Sequence, residues 1–204
     1  MNAFEVAAAA AVFGAAGFAG AFVARRICDG VAPFADGPPP GRSSVGLLVA
    51  CAGAAGVVEG LRGAAVPELI LAAVLCCALV GIWYSDVRCG IVPDVFTLVP
   101  LALVAVLAVV AREWTPIASA AIVFVPFALA AWASRGRGMG WGDVKLVALG
   151  GAVLGVEAAV LAFGVACAAA VIVALARKRR HEPLAFAPYL VAAIALPLAV
   201  GVPR

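Results

Sequence analysis

Apolar stretches follow one another along almost the whole chain, and the short segments between them hold nearly every charge and most of the prolines. A chain patterned this way has too little polar surface to cover a soluble core. In a bilayer the same stretches are soluble, provided each satisfies its own backbone N–H and C=O groups by becoming helical. With 66% of its 204 residues hydrophobic and only 12% charged, the composition lies well outside the balance of soluble domains. The expected fold class is an all-α polytopic membrane protein of about eight transmembrane helices, forming a single membrane-embedded domain over residues 1–204.

The spans fall at roughly 3–24, 45–60, 65–84, 94–111, 117–134, 144–156, 158–176 and 184–202, each bounded by charge, Pro or Gly. The segment 144–156 is too short for a hydrocarbon core of about 30 Å, so it is expected to tilt, dip in partway, or run on past Glu157. Residues 29–44, with Pro38, Pro39 and Pro40, form a short cytoplasmic loop that cannot be helical. Pro67 with Glu68, and Pro93 with Asp94, each mark the first turn of a helix. Trp83, Tyr84, Trp114 and Trp141 read as interfacial aromatics.

No Lys or Arg precedes the first apolar run, and Glu5 is its only charge, so it reads as a retained span rather than a signal peptide. Arg25 and Arg26 follow that span and put the N-terminus outside. Alternating sides from there places Arg25, Arg26, Arg42, Arg88, Arg135, Arg137, Lys145, Arg177, Lys178, Arg179 and Arg180 in the cytoplasm. Only Arg62, Arg112 and Arg204 of the 14 basic residues fall outside. The net charge of +3 is thus explained by topology and by anionic membrane lipid, with no nucleic-acid partner. Cys51, Cys76, Cys77 and Cys167 lie in apolar spans and Cys28 and Cys89 near the cytoplasmic edge, with no CxxC pair among them. With His181 as the single histidine, neither a zinc mechanism nor any other metal or cofactor is expected.

Among the acidic residues, Asp86 in Tyr84-Ser-Asp-Val-Arg88 and Asp143 in Gly138-Met-Gly-Trp-Gly-Asp-Val-Lys-Leu146 both fall at cytoplasmic ends of spans. Two carboxyls at one depth suit amide hydrolysis, one accepting a proton from water and the other donating one to the scissile carbonyl. Taken alone, an interfacial Asp is more often a helix cap or the partner of a nearby cation such as Arg88. Gly138, Gly140 and Gly142 leave the backbone bare ahead of Asp143, which lets an extended substrate strand approach. The helix dipole favours Asp143, at a helix start, as the carboxylate, and Asp86, past a helix end, as the acid.

The stretch from Gly138 to Gly150 closely resembles the second active-site motif of the type IV prepilin peptidases, GxGD-type aspartic proteases of bacterial inner membranes. Asp86-Val-Arg-Cys-Gly-Ile-Val-Pro-Asp-Val-Phe-Thr-Leu98 resembles their first. Weaker similarities lie in Gly17-Phe-Ala-Gly-Ala-Phe22 and Ala185-Phe-Ala-Pro-Tyr-Leu190. The resemblance implies that Asp86 and Asp143 are the catalytic acids. It further implies that Gly138, Gly140, Gly142 and Lys145 adjoin the substrate, and that prepilin or pseudopilin leaders are cut at the cytoplasmic face. Asp94, following Pro93, reads as a helix cap rather than a catalytic group. Longer members carry an insert with paired CxxC motifs linked to N-methylation after the first span; residues 25–44 have no room for it, which puts that activity in doubt. A small transporter or channel, or a degenerate peptidase homologue, remains the alternative.

Cysteine-substitution labelling should find residues 30–40 and 178–181 on the cytoplasmic side and 113–115 outside. A loop at 135–142 labelled from outside would refute this topology.

Overall fold

The computed structural model describes residues 3–31, 41–63, 65–134, 139–176 and 185–200; among them are eight α-helices and no strand. The helices are α1 (Ala3–Asp29), α2 (Arg42–Arg62), α3 (Val66–Cys89), α4 (Asp94–Ala111), α5 (Thr115–Ala133), α6 (Trp141–Leu154), α7 (Val156–Ala176) and α8 (Ala187–Val200). Of these, α1, α3, α4, α5 and α7 are long and apolar enough to cross a membrane, and α2 and α8 carry shorter apolar runs. Large apolar side chains stand exposed along them, as Val160, Leu161, Val165 and Ile172 do on α7, which is the surface a lipid solvent requires. The chain is an all-α, multi-pass membrane protein.

Each of the eight expected spans contains a helix, but several helix ends differ from expectation. α3 continues five residues beyond 84, through Ser85, Asp86 and Arg88, because its last turns are buried and stay helical. Tyr84 is accordingly a core residue at 6% exposure, whereas Trp114 and Trp141 are exposed. α6 begins at Trp141 and ends at Leu154, so its 14 residues reach only about 21 Å at the usual helical rise. It does not run on past Glu157: Gly155, at φ 78°, breaks the chain into α7. α1 extends to Asp29 and α2 starts at Arg42, so helix takes both ends of the 29–44 loop, while Pro38–Pro40 lie outside the described residues.

The chain divides into two compact units, Met1–Phe96 and Thr97–Arg204. In the first, α1 packs on α2 and α3. Gly17 of α1 faces Ala52 and Val49, while Gly56 faces Ala9 and Phe13, so α1 and α2 run antiparallel. Gly20 lies directly against the Cys77 carbonyl, and Cys28 meets Cys89 at the helix ends, so α1 and α3 run parallel. In the second unit α6 is buried along most of its length, from Val144 to Val153, by α5, α7 and α8. Gly151 abuts Ser119 and Val123 of α5, and Gly150 abuts Phe163 and Ile194. This short apolar helix is thus held as the core of the unit, enclosed by its neighbours.

A methyl group on Gly20 would strike backbone, which cannot swing away, so Gly20→Ala should destabilise the protein by about 1–3 kcal/mol. Gly14→Ala, on the same helix with nothing within 4 Å, should be neutral or stabilising. Thermal unfolding in detergent distinguishes the two, and equal effects would refute the packing account.

Candidate active site

Asp86 sits in the last turn of α3 and is only 6% exposed, beside the fully buried Ser85. The Ser85 hydroxyl reaches back to the Gly81 and Ile82 carbonyls at 3.0 and 3.2 Å, so its hydrogen bonding stays within its own helix. The helix then stops because Gly90 adopts the left-handed conformation at φ 64° and donates its N–H to the Asp86 carbonyl at 2.9 Å. Ile91 to Pro93 follow without helical structure, and α4 opens at Asp94. The motif around Asp86 is therefore a helix C-terminus, a glycine cap and the next helix start. Phe96, in the first turn of α4, lays its ring on Gly81, fixing that return.

Asp94 is exposed in the first turn of α4, where the expected cap would lie. Burial thus separates the two aspartates of this motif: Asp86 is withdrawn into the protein and Asp94 is left at its surface.

Asp143 is the third residue of α6, a position from which its carboxylate turns back and accepts the Gly140 N–H at 3.3 Å. Two effects oppose each other here. The hydrogen bond and the helix N-terminus favour the ionised form, as the sequence suggests. Burial disfavours it and prevails, pushing the Asp143 carboxyl up to about 6, on a turn that precedes the apolar run and lies outside the membrane-spanning segments. The group remains mostly ionised at neutral pH, but it titrates much closer to neutrality than a helix N-terminus alone would allow.

Gly140 is exposed and extended, at φ −77° and ψ 152°, a conformation open to any residue. A Cβ there would meet only the Asp143 carboxylate, at 3.5 Å, an ordinary contact. Neither backbone geometry nor internal packing calls for glycine at this position. Gly142 and Lys145 flank Asp143 on α6, both half-buried, and Gly138 lies outside the described residues. Among the described residues, no three His, Cys, Asp or Glu side chains group to hold a metal ion. The hydrogen-bonded contact between Cys28 and Cys89 is foreshadowed in the sequence only by both falling near the same expected membrane edge.

Asp86 belongs to the first unit and Asp143 to the second, and both lie inside the segment that matches a known family. Residues 45–175 match the type IV leader peptidase family. The chain is also 37% identical over 142 residues to a prepilin leader peptidase/N-methyltransferase of Burkholderia pseudomallei strain 1026b, and equally to that of strain K96243. Each alignment covers 63% of this chain but 46% of the relative, so the chain spans about half the length of the curated relatives it matches. No solved structure matches. The family match takes in well over half of the sequence, and the chain belongs to the type IV leader peptidase family.

Proposed function

We propose that this protein is an aspartic endopeptidase that removes the leader peptide from prepilin or pseudopilin precursors at the cytoplasmic face of a bacterial inner membrane, with Asp86 and Asp143 as its two catalytic carboxyls. The observation that carries this reading is the contrast within the family-matched segment: Asp86 is withdrawn from solvent while the neighbouring Asp94 is exposed in a helix first turn. A surface cap has no reason to be buried, and a proton-transferring carboxyl gains from it.

In this mechanism Asp143, as carboxylate, takes a proton from a water molecule as that water attacks the scissile carbonyl. Asp86, as acid, donates to the carbonyl oxygen, and collapse of the tetrahedral intermediate expels the new amine once its nitrogen has been protonated. The bare backbone at Gly140, which the fold itself does not require, leaves room for an extended leader strand beside Asp143. Gly138, Gly142 and Lys145 belong to the same approach.

Asp86→Asn and Asp143→Asn should each abolish cleavage of a co-expressed prepilin, read by the gel shift of leader loss, while the protein still inserts and folds. Asp94→Asn should retain most activity, since Asn also serves at helix starts. An inactive Asp94→Asn beside an active Asp86→Asn would reverse the assignment.

Because Asp143 must be ionised to act as base, cleavage should rise with pH through about 6 and fall away below it, as the carboxyl regains its proton. A cleavage rate unchanged from pH 7 down to pH 5 would contradict this role.

A further inference from the structure

Two thiols close to the Asp86 turn have no part in the proposed hydrolysis. Cys28, in the last turn of α1, and Cys89, in the last turn of α3, are 3% and 4% exposed, and their side chains hydrogen-bond to each other. Both are free thiols, with Arg88 and Asp29 nearby. The helices that carry them run parallel and already touch at Gly20 and Cys77, so their ends are held together. Cys89 follows Asp86 by three residues, which puts the two on neighbouring positions of one helix face. Cys76 and Cys77, by contrast, are adjacent on α3 and point about 100° apart around it.

We propose that Cys28 and Cys89 form a dithiol modification site, which a peroxide-class oxidant closes to a disulfide between α1 and α3, and that closure shuts off the Asp86 site. The effect on activity rests on the reading of Asp86 as a catalytic acid; the disulfide itself does not. One thiol, losing its proton, attacks a peroxide oxygen; the O–O bond breaks, and the departing hydroxide takes that proton to leave as water. The resulting sulfenic acid is attacked by the second sulfur, the S–O bond breaks, and the hydroxyl leaves as a second water with the second thiol's proton. Each sulfur is oxidised by one electron, and the peroxide takes up both.

Burial slows the first step by disfavouring the attacking thiolate, and it limits the oxidant to a small uncharged peroxide, since the site is closed to bulky or charged disulfides. Contact between the thiols gives the second step its partner without a search. On the cytoplasmic side, where the positive-inside rule puts both helix ends, thiols rest reduced and a disulfide is a transient, regulatory state. Forming it draws the sulfurs from hydrogen-bond contact to about 2.05 Å. Closure ties the last turn of α3, which carries Asp86, to the last turn of α1. Displacement of a catalytic group by about 1 Å suffices for a loss of up to about a hundredfold.

The test uses the full chain in proteoliposomes, treated with hydrogen peroxide, then alkylated, digested without reductant and mapped by mass spectrometry. A linked Cys28–Cys89 peptide is expected, with prepilin cleavage down at least about tenfold and restored by dithiothreitol. Cys28→Ser, or Cys89→Ala if the first fails to fold, should continue to cleave in peroxide. Absence of the linked peptide after prolonged treatment overturns the site. A linked peptide with undiminished cleavage overturns the switch. Untreated protein that cleaves no prepilin at all would instead refute the proposed function, and the linked peptide would still decide whether the dithiol site exists.

Discussion

Close backbone contact between helices is the constraint on which the rest of this structure depends. Lipid is as apolar as leucine, so helices in a bilayer gain little by hiding apolar side chains from it; what holds them is van der Waals contact at short range. The first unit achieves this through glycines on two faces of α1, with Gly17 toward α2 and Gly20 against the α3 backbone at Cys77. The second does so through Gly150 and Gly151, which let α6 approach α5 on one side and Phe163 and Ile194 on the other. Phe127 and Phe163 meet edge to face at 6.0 Å and fill the space between α5 and α7.

That packing determines where polar groups can be kept. The last turn of α3 stays helical and buried because α1 lies alongside it, which is how a carboxyl comes to be withdrawn at Asp86 while Asp94, eight residues on, remains at the surface. The first turn of α6 places Asp143 where its helix supplies an N–H donor and its surroundings withhold water. In both places a helix terminus sets the backbone and the neighbouring packing sets the protonation chemistry. The same packing of α1 on α3 brings two thiols together one turn beyond Asp86.

Much of this was legible in the residues. Long apolar runs give away helices in lipid because a bilayer leaves the backbone no other open-ended solution, and all eight expected helices are present. Pro67 with Glu68 marked the start of α3 correctly: the Glu68 carboxylate accepts the Ala65 N–H at 3.1 Å. The differences fall where polar residues in the sequence suggest the end of a helix. Ser85, Asp86 and Arg88 lie past the expected end of the span at 84, yet a buried helix end carries polar groups when each finds a partner, as the Ser85 hydroxyl does within its own helix. The glycine at 155, one of many, gave no warning that it would take a positive φ and separate α6 from α7.

The sequence by itself determined the class of the protein, its helices and the family to which its two aspartate motifs belong, because these depend on local patterns that a bilayer or a reaction imposes on neighbouring residues. Only the tertiary structure decided that α6 is enclosed by α5, α7 and α8, that Tyr84 is buried, that Cys28 meets Cys89, and that burial outweighs the helix N-terminus at Asp143. Each of these depends on which residues far apart in the chain exclude solvent from one another. That exclusion is a property of packed helices and is not written in any one of them.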